Sequence, residues 1–216
     1  DMELLINNIA FLSPQIEIQN VKNKFFVKGQ INNKNIELNK SEIELLLEPY
    51  FPKLEIKNIS FQSTNNISVK IDKKLNIDEL KISSEIQIND MSILNRIKLQ
   101  NIFPKLKDEI TLSNQKIKID YNDKKISIKG NGKILLQDNF DEISYSVEKE
   151  NEKYKFSSII NIDKNPFNID FLSYEKKESS KIDIKFNGIH QVHKRTLFKS
   201  ISLNENKNEI KFEDLE

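Results

Sequence analysis

The chain has no cysteine and no tryptophan, and among its 216 residues are only four glycines, five prolines and two histidines. Without cysteine there are no disulfides, no thiolate nucleophiles and no Cys-based metal sites. So few glycines argue against the short regular coils of a β-solenoid enzyme, and Gly130-Asn131-Gly132 is no phosphate loop because no helix pattern follows it. Charge of one sign is lacking too. Lys and Arg number 34 against 33 Asp and Glu, so nothing attracts a phosphate backbone, and nucleic acid is set aside as a partner. No run approaches the ~18 apolar residues of a membrane-spanning helix, and no signal peptide opens the sequence. The chain starts at Asp1 and stops at Glu216 in the middle of a charged pattern. It is therefore expected to be a segment of a longer polypeptide, with any anchor or targeting signal outside it.

What is present is strand composition. Hydrophobic residues make up 37% and charged residues 31%, with Ile and Phe dominant and Ala almost absent. Period-2 alternation recurs from end to end. In KIDIKFNG, Ile182, Ile184 and Phe186 point one way while Lys181, Asp183 and Lys185 point the other. The same holds for Leu54 and Ile56, Val69 and Ile71, Ile86 and Ile88, and Ile117, Ile119 and Tyr121. It holds again for Ile126 and Ile128, Ile160 and Ile162, Phe167, Ile169 and Phe171, and Ile201 and Leu203. Each run has one apolar and one wet face.

Turn chemistry divides the runs at Asn122-Asp123-Lys124, Gly130-Asn131-Gly132, Glu150-Asn151-Glu152, Asp163 to Pro166 and Glu175 to Ser180, predicting an up-and-down meander. Two places interrupt it. SEIELLLEPYF carries a capping box from Ser41 to Glu44, with Ile43, Leu46, Leu47 and Tyr50 on one helical face and Pro49 and Pro52 as stops. DMSILNRI is a weaker helix candidate starting at Asp90 or Ser92. Both lead to one tetrapeptide, Phe51-Pro52-Lys53-Leu54 and Phe103-Pro104-Lys105-Leu106, with Leu47 and Leu99 at matching offsets. This predicts a weak internal repeat over 41–90 and 91–140, of short helix, FPKL and strands, within one elongated unit spanning 1–216.

Candidate chemistry is sparse. His190 and His193 in HQVH have a spacing that two metal ligands could use, but no cysteine or neighbouring carboxylate completes a set. The doublets Asp78-Glu79, Asp108-Glu109 and Asp141-Glu142 put adjacent carboxylates on opposite faces of a strand, so they read as turn and strand-entry solvation and not as a glycosidase pair. No catalytic residue, metal site or cofactor is expected. The interleaved lysines read as a solvated outer face.

The expected fold is therefore mainly β: an elongated antiparallel meander curled into an open apolar groove, with one or two short helices. A closed β-sandwich or fibre-like structural domain of an envelope protein is the alternative. The end-to-end alternation, the scarce glycine, YFPKL and FPKL before new strands, and the stretch GKILLQDNFDEISYSVEKENEKYKFSSIINI resemble the AsmA-like superfamily of bacterial bridge-like lipid-transfer proteins. That resemblance implies a periplasmic segment, anchored to the inner membrane by a region outside it, whose β-groove conducts phospholipids toward the outer membrane. Phospholipid acyl chains are then the expected partners. The expected groove lining is the apolar member of each run: Leu54, Ile56, Val69, Ile71, Ile86, Ile88, Ile117, Ile119, Ile126, Ile128, Ile160, Ile162, Ile169, Phe171, Ile182, Ile184, Phe186, Ile201 and Leu203.

Overall fold

The computed structural model describes residues 4–6, 9–21, 24–47, 54–96, 98–123, 125–177, 179–191 and 195–215. In chain order the elements are β1 (Leu4–Ile6), β2 (Ile9–Val21), β3 (Lys24–Leu38), α1 (Lys40–Leu46), β4 (Ile56–Ile71) and β5 (Ile77–Leu94). There follow β6 (Glu109–Asn122), β7 (Lys125–Leu135), β8 (Asp141–Glu150), β9 (Lys153–Ile162), β10 (Asn168–Ile169), a 3-10 turn (Asp170–Leu172) and β11 (Tyr174–Glu175). The last strands are β12 (Ile182–Gln191), β13 (Thr196–Glu205) and β14 (Asn208–Leu215). Strands β2 to β9 and β12 to β14 form one antiparallel ladder in chain order, and β1 adds a short edge against β2. The sheet is open: its two outer strands do not pair with each other. The fold is thus mainly β and an antiparallel meander, as alternation and turn chemistry predict.

The hairpin ends follow local chemistry. Asp123, Asn151 and Asn206 take positive φ at the tips, a conformation in which short polar side chains are the least penalised after glycine. Between β4 and β5, Asp72 Oδ1 accepts from the backbone N–H of Lys74 at 2.7 Å and of Asn76 at 2.9 Å, closing the turn.

Four local expectations are corrected. The helix α1 forms, but Asn39 is its N-cap. Asn39 accepts from the N–H of Glu42, whose side chain reaches back to the Asn39 N–H at 2.8 Å, so the capping box lies two residues earlier than Ser41 and Glu44. The described residues of DMSILNRI are not helical: those up to Leu94 continue β5, because Met91 and Ile93 find partners on both sides, Ile59 and Ile56 on β4 and Leu112 and Ile110 on β6. Pairing on two flanks outweighs a local cap. Gly130-Asn131-Gly132 is not a turn but the middle of β7. Leu54 precedes β4 and is exposed, and Phe171 lies in the 3-10 turn, not in a strand, 77% exposed with its ring 6.1 Å from that of Phe212 on β14. The tetrapeptide at 51–54 lies, apart from Leu54, outside the described residues, as do Pro49 and Tyr50.

Glycine inside these strands answers to close approach. A Cβ on Gly130 would lie 2.4 Å from the Tyr145 ring, and one on Gly188 would lie 2.3 Å from the Leu197 carbonyl oxygen and 2.6 Å from the Phe156 ring. Gly188 also adjoins a register shift between β12 and β13, and Phe156 and Phe186 both meet Phe198 there edge-on. Gly29, by contrast, has nothing within 3.6 Å of such a Cβ. Gly188→Ala is expected to cost about 1–3 kcal/mol through forced displacement, whereas Gly29→Ala is expected to gain up to about 0.5 kcal/mol by stiffening the unfolded chain. Urea midpoints of the two variants check this contrast, and equal midpoints would contradict the packing described.

Candidate functional site

Because register fixes which side chains share a face, the apolar face can be followed strand by strand. One unbroken transverse row runs Asn33, Ser63, Ile86, Ile117, Gly130, Tyr145, Ser158, Phe186, Ile201 and Phe212, from β3 to β14. Beside it, toward the hairpin tips, runs Ile31, Asn65, Ser84, Ile119, Ile128, Val147, Phe156, Gly188 and Phe198. Next comes Ile67, Ile82, Tyr121, Ile126, Lys149, Tyr154 and His190. On this side the face is only partly covered, and at its β2 margin Ile16 and Ile18 are 55% and 66% exposed.

The other end of the strands is capped. Helix α1 covers β3 to β5 there, burying Leu38, Ile43, Ile59 and Ile88 with Ile56, Phe61 and Met91 around them. The connections 95–108 and 163–181 cover β6 to β13, and Phe103 and Phe167 pack with Ile134, Leu136, Ile162, Ile182 and Leu203. Of the residues expected to line a groove, Ile162, Ile182 and Leu203 are thus buried core, Ile160 and Ile184 pack against that core, and Ile169 approaches it from the 163–181 connection. Ile56, Ile86, Ile88 and Ile117 belong to the α1 cluster. Val69, Ile71, Ile119, Ile126, Ile128, Phe186 and Ile201 are half-buried on the apolar face.

Polar contacts hold the cap in place, and two of them use acids that project from the apolar face. Asp141, opposite Ile134 and 2% exposed, accepts from Asn165 Nδ2 at 2.7 Å. Glu205, opposite Ile182, accepts from the Tyr174 hydroxyl at 3.0 Å. Burial first, and then this bond, push the Tyr174 phenol up to about 12. Asn165 also bonds both backbone groups of Asn139, and the buried Gln137 joins the two connections by accepting from the Lys105 N–H and donating to the Pro166 carbonyl. Lys176 donates to the Asp163 carbonyl at 2.6 Å. None of this was legible in the sequence, where Asp141 belonged to an acidic doublet; the doublet's other member, Glu142, is exposed on the opposite face.

The opposite face is polar throughout most of its extent and holds concavities of its own. One of about 810 Å³ is lined by Gln62, Gln87, Lys116, Lys129 and Asn131 among others, and one of about 680 Å³ by Gln30, Asn66, Ser83 and Asp120 among others. On the apolar face a cavity of about 280 Å³ lies between β3, β4 and β5. His190 is exposed and its Nδ1 lies 2.9 Å from Thr196 Oγ1, while His193 falls outside the described residues. Among the described residues no three His, Asp or Glu side chains are grouped to hold a metal, and no helix is long and apolar enough to cross a membrane. No family model, curated protein or solved structure matches the chain.

Burial raises the Asp141 carboxyl above the ordinary carboxylate range and the charge of Asp163 adds to this, while Asn165, the Asp163 N–H and Lys176 oppose it. At low pH the group is neutral both folded and unfolded. As pH rises through the carboxylate range toward the raised folded value, the unfolded chain ionises first, so this group's contribution to stability declines. In urea titrations at stepped pH, the midpoint of the wild type should therefore fall relative to that of Asp141→Asn as pH increases. Parallel curves for the two proteins would contradict that assignment.

Proposed function

We propose that this chain is a non-catalytic segment of an envelope protein that holds lipid acyl chains against its apolar sheet face and conducts phospholipids between the inner and outer membranes of a bacterium. The observation that carries the reading is a face of side chains, apolar apart from a few polar positions, that continues across the ladder and is capped at one strand end only. Strands ~4.8 Å apart make such a face roughly 50 Å wide, and each ~16-carbon chain laid on it gains on the order of 12 kcal/mol over water. Leaving a bilayer costs about as much, so a lipid on the face is close to isoenergetic with one in the membrane and can slide. The protein acts in the periplasm, anchored to the inner membrane by a region outside this segment, and needs neither nucleotide nor cofactor. This is also what the resemblance to the AsmA-like superfamily implies.

A packed structural domain is the competing reading, and the cap over Ile162, Ile182 and Leu203 favours it locally. Photocrosslinking separates the two. With benzophenone at Ile128, on the uncapped part of the apolar face, and at Lys129, on the polar face, the full-length protein in cells should yield adducts of phospholipid mass at Ile128 alone. At Ile184, under the cap, crosslinks should stay within the protein. Purely intramolecular products at Ile128 would replace lipid conduction by the structural reading.

A further inference from the structure

We propose that Asn65 and Ser84 form a subsite on the apolar face for the hydroxyl head of an uncharged acyl lipid, of the monoacylglycerol kind; this rests on the lipid-holding reading above. Four polar side chains interrupt the two central rows on β3, β4 and β5: Asn33, Ser63, Asn65 and Ser84. Three of them satisfy one another. Ser63 donates to Asn33 Oδ1, and Asn65 Nδ2 donates to Ser63 Oγ at 2.9 Å and to the Ile31 carbonyl at 3.2 Å. That spends the Asn65 donors and leaves its Oδ1 with no protein donor among the described residues. Ser84 stands directly opposite Asn65, is 7% exposed, and its hydroxyl makes no hydrogen bond to a described residue. An unspent acceptor and an unspent hydroxyl therefore belong to residues paired in register. Of these, Asn65 lines the cavity of about 280 Å³ whose apolar walls are Ile31, Phe61, Ile67 and Ile82, and Ile82 is two residues from Ser84 on β5.

This arrangement selects by chemistry. An alcohol can donate to Asn65 Oδ1 and exchange a bond with Ser84. A carboxylate or phosphate has nothing to donate to that oxygen, and the two rows bring no cation from β3 to β6 to replace the water it would lose. From the head, the acyl chain runs toward the hairpin tips over Ile67, Ile82, Val69 and Leu80, which are half-buried and adjacent in register. Gly29, opposite Ile67, leaves that path clear. A cavity that is mostly apolar with a few placed polar groups is the usual form of a small-molecule site.

The test is competition on the full chain, with N-phenyl-1-naphthylamine as the bound fluorescent reporter and monododecanoylglycerol and dodecanoate as competitors of equal chain length. Monododecanoylglycerol should displace the reporter at about three- to tenfold lower concentration than dodecanoate, the range of one or two net hydrogen bonds. Asn65→Leu should erase most of that advantage, and Ser84→Ala should weaken displacement by monododecanoylglycerol more than displacement by dodecanoate and so narrow it. Because Asn65 also braces Ser63 and Ile31, Ser84→Ala is the deciding variant, with its fold checked by circular dichroism. Equal competition by the two lipids, or an advantage that Ser84→Ala leaves intact, overturns the subsite while the lipid-holding face stands. Failure of the reporter and of both competitors to bind overturns the subsite together with the reading it rests on.

Discussion

Neighbouring residues on a strand face opposite ways, so the register between strands decides whether the apolar side chains of a meander add into one surface or cancel. In this chain they add. Row after row keeps its phase from β3 to β14, and register shifts such as those between Asn33 and Ile36, Ser113 and Lys116, or Asn187 and Gly188 restore that phase beyond them. The consequence is a sheet that has put most of its greasy side chains on one side without supplying a second layer to cover them all. The cap and the uncapped part of the face are both responses to that imbalance.

The cap shows how a fold can seal part of such a face with very little chain. Helix α1 and the connections 95–108 and 163–181 all lie at the same end of the strands, because each joins an odd reversal of the meander at that end, while the opposite end is closed by short hairpins. Phe103 and Phe167 supply the apolar contact, meeting edge-on with ring centroids 5.5 Å apart. Direction comes from polar groups: Asp141 and Glu205 project from the apolar face and are engaged by Asn165 and Tyr174 of the 163–181 connection. A buried carboxylate is costly unless bonded, so Asp141 specifies which segment covers that end, and the half-buried Glu205 adds a second bond to the same segment. By contrast, the exposed ion pairs of the outer face, such as Lys24 with Asp78 at 2.7 Å, are solvated and contribute little.

Beyond the cap the apolar face divides by chemistry. Over β9 to β14 it is aromatic, with Phe156, Phe186 and Phe198 gathered around Gly188. Over β3 to β5 it carries amides and hydroxyls set among isoleucines and Phe61. The second carries the register pair Asn65 and Ser84. The polar face has a different character again, with larger concavities floored by Gln, Asn, Ser and Lys side chains.

Sequence alone determined what local chemistry controls. Alternation such as that of Ile182, Ile184 and Phe186 fixed strands and their apolar side, and short polar residues at Asp123 and Asn151 fixed reversals. The helix over 40–46 was legible from its apolar face even though its cap was misplaced. Tertiary structure decided everything that depends on neighbours distant in the chain. Met91 and Ile93 became strand because partners existed on both flanks, and so did Gly130 to Gly132, where Tyr145 and Gln115 occupy the space side chains would have taken. Asp141 turned from a surface acid into a buried clasp, and Asn65 and Ser84 from ordinary polar residues into a matched pair, because only the register of strands far apart in sequence brings their partners within reach.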